Sequence, residues 1–190
     1  RMRGRMDSQI TIRAAFGGGV RALEIHSDAY ESAYAQIPGL KIVVPSTAAD
    51  AKGLLKSSIR DEDPVLFLEP LRGYRLITDE VSDDPETLVP LGRARIARPG
   101  QHVTVVAWSG MIPVVEAAAI ELEEKGIDIE IVDLRTIVPL DVATVVESVE
   151  KTGRAVVVQE GPMTAGFAAE VINLLQISAC LWNSQQTQNH

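Results

Sequence analysis

Cysteine is nearly absent: Cys180 is the only one in 190 residues, so an internal disulfide framework is excluded and the chain suits a reducing compartment. Histidine is scarce as well, and His26, His102 and His190 are scattered, so with one cysteine they supply no zinc site. Aromatic residues make up 4%, too few for a nucleic-acid stacking platform. Positive charge is in deficit. Eighteen Lys and Arg against 26 Asp and Glu leave a net −8, which argues against non-specific binding to nucleic acid or anionic membranes. No apolar run reaches the roughly 18 residues of a membrane span. The basic start is followed by Asp7, Ser8 and Gln9, where a signal peptide needs its apolar stretch. A Gly-x-Ser-x-Gly elbow and a Walker loop are both missing. The chain opens on Arg1 rather than Met; either the natural start is missing or this is a piece of something longer.

What is present is the balance of a globular protein, 46% hydrophobic and 23% charged. Alternation over Gln9 to Ala14 predicts a strand, ended by the glycines after Phe16. A short helix is predicted from Tyr30 to Gln36 and a buried strand from Lys41 to Pro45. Ser46 or Thr47 then caps a helix whose apolar face includes Ala51, Leu54, Leu55 and Ile59. Val65 to Leu68 is another buried strand. The stretch 79–86 holds five acids and a proline; it reads as a linker, with a charged surface loop as the alternative. Beyond it strands (102–108, 129–134, 155–158) alternate with helices (112–125, Asp141 to Thr152, 165–176). That order predicts α/β architecture with parallel sheets, whose chemistry gathers at the carboxyl ends of strands. The amide-rich end, Asn183 to His190, is expected to fray.

Few residues announce chemistry. His26, after the triple glycine, can exchange protons near neutral pH, but spacing alone favours a turn histidine without a role. Gly17 to Gly19 offer backbone amides to a phosphate, or simply close approach to a neighbouring chain. The acidic turn from Ser58 to Pro64 follows a helix C-terminus, whose carbonyls suit a hard cation, although its spacing is not that of an EF-hand. Arg135 is expected to pair with a carboxylate at a domain or subunit contact. Glu69 and Tyr74 are expected to hold the loop between domains.

The local strings go further. Thr11-Ile12-Arg13, Phe16-Gly17-Gly18-Gly19, His26-Ser27, Pro38-Gly39-Leu40-Lys41, Pro45-Ser46-Thr47, Ala51-Lys52-Gly53-Leu54-Leu55 and Phe67-Leu68-Glu69-Pro70 occur in that order. Pro90-Leu91-Gly92, Asp133-Leu134-Arg135-Thr136 and Lys151-Thr152-Gly153-Arg154 follow. This series resembles the beta subunit of the thiamine-diphosphate-dependent component of 2-oxo acid dehydrogenase complexes, of pyruvate or branched-chain type. The resemblance implies part of a pyrimidine-binding domain over 1–80, an acidic linker over 81–89, a transketolase C-terminal-like domain over 90–176 and a polar tail over 177–190. It implies oxidative decarboxylation of a 2-oxo acid with acyl transfer to a lipoyl domain. Partners would be an alpha subunit holding the diphosphate and magnesium, a second beta subunit and the lipoyl acyltransferase core. The location would be cytoplasmic, or the mitochondrial matrix in a eukaryote.

The same resemblance makes His26 the catalytic histidine over the thiazolium ring. It also places a structural potassium site at Ser8, Ile10, Thr11, Ser58, Asp61 and Asp63, with main-chain carbonyls giving several contacts and Asp63 standing where asparagine is frequent. The glutamate that contacts the aminopyrimidine matches no residue of this chain, and after Gln176 the family pattern is lost. The isolated polypeptide is therefore expected to be inactive. Rival readings are an acetoin dehydrogenase beta subunit, another transketolase-type enzyme such as deoxyxylulose phosphate synthase, and a non-catalytic module that binds an alpha subunit.

Overall fold

The computed structural model describes residues 8–18 and 28–186. Its first sheet is built from β1 (Thr11–Phe16), β2 (Lys41–Val43), β3 (Val65–Pro70) and a later strand. β3 lies centrally, parallel to both β1 (Thr11 opposite Val65) and β2 (Lys41 opposite Val65). Its Val-Leu-Phe-Leu run is buried on both faces, as a central parallel strand requires. Helices α1 (Glu31–Ala35), α2 (Ala48–Arg60) and α3 (Gly73–Leu76) belong to this half. Thr47 is the residue that caps α2, accepting the Asp50 N–H at 3.0 Å.

The second sheet comprises β4 (Arg95–Arg98), β5 (Val103–Ala107), β6 (Ile129–Asp133) and β8 (Ala155–Val157), in the order β4-β6-β5-β8. β5 runs parallel to β6 and β8, while β4 pairs antiparallel with β6. Helices α4 (Ile112–Glu123), α5 (Val142–Thr152) and α6 (Ala168–Gln186) complete it. Asp141 caps α5 by accepting the Thr144 N–H, and Gly153 ends it at φ +70°, the left-handed turn that glycine adopts without a Cβ penalty.

The element between β6 and α5 was not legible in the sequence. β7 (Thr136–Val138) leaves the second half and adds to the first sheet, antiparallel to β2, with Val43 opposite Thr136. Each sheet therefore ends in one antiparallel strand, so the all-parallel expectation holds for the interior strands and fails at one edge. A single apolar cluster runs through both halves: Phe16, Ile42 and Leu68 from the first sheet meet Val106, Val132 and Ile137. The last helix also differs from expectation. It continues past Gln176 to Gln186 instead of giving way to a polar tail. The acidic stretch carries no helix or strand. Its backbone carbonyls at Ser82, Pro85 and Thr87 accept hydrogen bonds from Lys52 and Lys56 of α2.

Candidate functional site

Where β1 ends, the chain turns through Gly17 at φ +84°. The Gly17 N–H donates to the Asp28 carbonyl at 3.0 Å, and the Gly18 N–H donates to Glu160 Oε1 at 2.7 Å. A Cβ on Gly17 would lie 2.6 Å from Glu160 Oε2, the far end of a side chain that can move aside, so it is the positive φ that calls for glycine here. The phosphate-cradle reading fails at Gly17 and Gly18, because both amides are already bound and the adjacent anion is a protein carboxylate. Gly19, His26 and Ser27 lie outside the described residues.

Glu31 opens α1 and is 2% exposed. One of its oxygens accepts the Trp108 indole N–H at 3.3 Å; the other has no hydrogen-bond partner among the described residues. Burial raises the Glu31 pKa against the opposing hydrogen bonds from its own amide and Trp108, and the Glu160 charge adds to the rise. Trp108 in turn packs edge-to-face on Phe167, with centroids 6.1 Å apart. Two acids therefore face the junction between the halves. Both belong to the series of residues that carries the family resemblance, Glu31 before Pro38-Gly39 and Glu160 after Gly153-Arg154, but the sequence assigned neither of them a role.

The six residues of the expected potassium site gather at one turn. Ser8 N–H donates to the Glu62 carbonyl and Thr11 Oγ1 to the Ser58 carbonyl, both at 3.0 Å, while the Ile10 carbonyl accepts from Val65. The Asp61 side chain caps its own turn through the Asp63 N–H at 2.9 Å. A cationic group already sits there: Lys41 Nζ lies 2.7 and 2.6 Å from the Asp61 oxygens and 3.6 Å from Asp63. The Ser58 carbonyl accepts from Thr11 and from the Asp61 N–H at 3.3 Å, which engages both lone pairs. An ion at this turn would draw on main-chain oxygens and displace one of those bonds, leaving the carboxylates to Lys41. No group of three or more His, Cys, Asp or Glu placed to hold a metal occurs among the described residues.

A second charged group ties the halves together. Arg135, at the β6–β7 turn, holds φ +55°, a strained value for a side-chain-bearing residue. Its guanidinium bonds Asp50 of α2 at 3.0 Å and the carbonyls of Arg93 and Ala94, which is the carboxylate pairing expected for it. Arg95 lies 3.3 Å from Asp50 and 3.1 Å from Asp133. Ser46 donates its hydroxyl proton to Asp133. Burial pushes the Asp133 pKa up to about 6, although Ser46 and Arg95 oppose it. Nearby, a cleft of about 360 Å³ opens beside Phe67, Glu69 and Tyr74. Burial would raise Glu69, but hydrogen bonds from Arg13 and Tyr74 outweigh it and hold its pKa low. This trio fastens α3 to β3 and β1 within the first half; the bonds shown for Glu69 and Tyr74 do not reach the loop between the domains, where they were expected to act.

Comparison with known proteins places this geometry. Residues 1–75 match the transketolase pyrimidine-binding domain and residues 92–185 the transketolase C-terminal domain. The chain is built of these two transketolase-type domains. It is 50% identical over 169 residues to the pyruvate dehydrogenase E1 component subunit beta of Bacillus subtilis, covering 89% of this chain and 52% of that one. The same subunit of Staphylococcus aureus is 46% identical over 178 residues, covering 94% of this chain and 54% of that one. That of Acholeplasma laidlawii is 47% identical over 183 residues, 94% of this chain and 56% of that one. Among solved structures, a split-gene transketolase, an inactive beta4 tetramer, superposes with a TM-score of 0.74 at 26% identity, covering 92% of this chain and 57% of that one. The resemblance read from the motifs is thus a transketolase-family relationship to pyruvate dehydrogenase beta subunits. The chain spans about half the length of these curated relatives. Among the described residues no helix is long and apolar enough to cross a membrane.

Proposed function

We propose that this chain is the beta-subunit part of a thiamine-diphosphate-dependent 2-oxo acid dehydrogenase component, acting on pyruvate or a branched-chain 2-oxo acid and passing the acyl group to a lipoyl domain. The observation that carries this reading is the 50% identity to a pyruvate dehydrogenase beta subunit over 169 residues. On this reading the two domains meet across residues 81–89, and an alpha subunit brings the diphosphate and magnesium sites. A second beta subunit and the acyltransferase core are the remaining partners, in the cytoplasm or the mitochondrial matrix. The chain by itself turns nothing over.

The residue assigned to the chemistry is His26. An imidazolium can give its proton to a departing lipoyl sulfur and take it back near neutral pH. Glu160 bonds the Gly18 N–H before residues 19–27, and Glu31, after them, accepts the Trp108 indole N–H. The test is to complete this chain at its N-terminus with the corresponding part of a pyruvate dehydrogenase beta subunit, which supplies the aminopyrimidine glutamate, and co-express it with an alpha subunit of the same type for 2-oxo acid decarboxylation and reductive acylation assays with thiamine diphosphate. Turnover by the complex, lost in His26→Ala, is the expected result. A complex that forms but turns over no 2-oxo acid counts against the reading, and wild-type acylation by His26→Ala removes the histidine from it.

Potassium at the turn formed by Ser8, Ile10, Thr11, Ser58, Asp61 and Asp63 is part of the same proposal. Bound to the folded state alone, it stabilises by mass action. The melting temperature should rise with potassium chloride relative to choline chloride at equal ionic strength; equal curves speak against the site.

A further inference from the structure

The cleft of about 360 Å³ beside Phe67 belongs to none of the machinery assigned so far. One wall is the first turns of α2, with Ala51 and Lys52, and the other is α3 with Tyr74. Its floor is β1 and β3, where Arg13 stands opposite Phe67 and Phe67 is 1% exposed. Clefts of this size take small molecules, through an apolar lining and a few placed polar groups.

Three of the lining side chains are ionised: Arg13, Lys52 and Glu69. Glu69 has both oxygens engaged, one by Arg13 Nε and the other by the Tyr74 hydroxyl. That hydroxyl keeps its proton, since burial and the bond to Glu69 push its pKa up to about 12. Among the described residues Arg13 commits only Nε to that pair, and its side chain is 60% exposed. Lys52 Nζ donates to the Ser82 carbonyl and pairs with no acid among the described residues. Two cations against one acid leave the cleft at net +1, in a chain whose total is −8. No residue of the acidic stretch 79–86 lines it. The first turn of α2 adds the positive end of a 13-residue helix dipole.

One positive charge on an apolar cleft matches a molecule with one negative charge and an apolar body. The two terminal nitrogens of a guanidinium present the parallel donors that a carboxylate accepts. A dianion would leave a charge uncompensated, and a neutral hydrocarbon would leave both cations unused. We propose that this cleft binds a small apolar monocarboxylate, its carboxylate between Arg13 and Lys52 and its body against Phe67 and Ala51. The site stands apart from the dehydrogenase reading, since its groups lie on β1, β3, α2 and α3.

The probes are phenylacetate and hexanoate, with phenylacetamide and hexanamide as neutral counterparts of the same shape. Titration of the full chain by NMR should show saturable binding of both acids, with Kd of about 1 mM or below. The amides should bind about fivefold more weakly or worse. Lys52→Gln removes one cation and should weaken the acids about fivefold without changing the amides. Ala51→Leu fills the apolar side and should weaken acids and amides alike, about tenfold. Both variants leave the bonds among Arg13, Glu69 and Tyr74 in place. Should Ala51→Leu melt early, Lys52→Gln and the amide comparison still decide. An absence of saturation up to about 10 mM overturns the site. Equal affinity for acids and amides overturns the charge match, and undiminished binding by a folded Ala51→Leu puts the ligand outside the cleft. The same titration on the N-terminally completed chain supports the site where binding persists and overturns it for the longer protein where binding is lost.

Discussion

Asp133 is fully buried at the end of β6, yet it is a carboxylate among an arginine, a serine and a second aspartate. Burial dominates its balance and lifts its pKa from 3.8 to about 6. A group whose folded pKa is raised contributes stability that is complete below the unfolded value and is lost as pH rises through the folded one. The window for Asp133 therefore runs from about pH 4 to about pH 6, and the contribution lost across it is on the order of 3 kcal/mol. Glu69, Glu130 and Asp141 have lowered pKa values, so their contributions move oppositely and mask the slope in the parent. The difference between parent and Asp133→Asn isolates it, because asparagine keeps the shape and one of the two acceptor oxygens, which Ser46 and the Arg135 N–H use separately, and removes only the titration from the pH dependence. Urea midpoints should favour Asp133→Asn increasingly between pH 4 and pH 6. A difference that stays flat across that range removes Asp133 from the pH response.

Elements with their own local signals were readable. Thr47 and Asp141 cap α2 and α5 as side chains of their type do, and an N-cap contributes about 1 kcal/mol wherever it sits in a chain. β3 was readable because a strand buried on both faces shows a near-continuous apolar run, and β6 because β-branched Ile129, Ile131 and Val132 mark a strand although two acids stand among them. β4 and β7 were not: Arg95-Ile96-Ala97-Arg98 mixes charge with apolar residues, and the three residues of β7 stand directly before Pro139. These short edges exist because a neighbouring strand supplies their hydrogen bonds, which is a tertiary fact. The same division holds at the candidate site. Gly17 and Gly18 announced a special backbone, whereas Glu160 lies 142 positions away and nothing local ties it to them. Glu130 and Asp133 looked like the polar members of a strand; their burial follows from Lys151, Ser148, Arg95 and Ser46 arriving from other elements.

At the scale of the whole molecule, two domain families meet in a chain whose halves do not pack as separate bodies. β7 carries the second half into the first sheet, the main core draws on both sheets, and Arg95 and Arg135 bind Asp50 across the junction. Each of these links would have to break before one half could unfold alone. Conformational entropy favours partial unfolding only where few buried contacts are lost, and here the junction contains Ile137, which is 1% exposed in the middle of β7. Thermal unfolding of the chain should therefore be a single calorimetric transition with matching calorimetric and van't Hoff enthalpies. Ile137→Ala should cost about 3 kcal/mol and lower that one transition by roughly 10 °C without splitting it. Two resolved transitions in the parent, or a variant in which only part of the heat moves, would show that the halves fold independently and that β7 is an ornament on the first sheet rather than the strand that joins them.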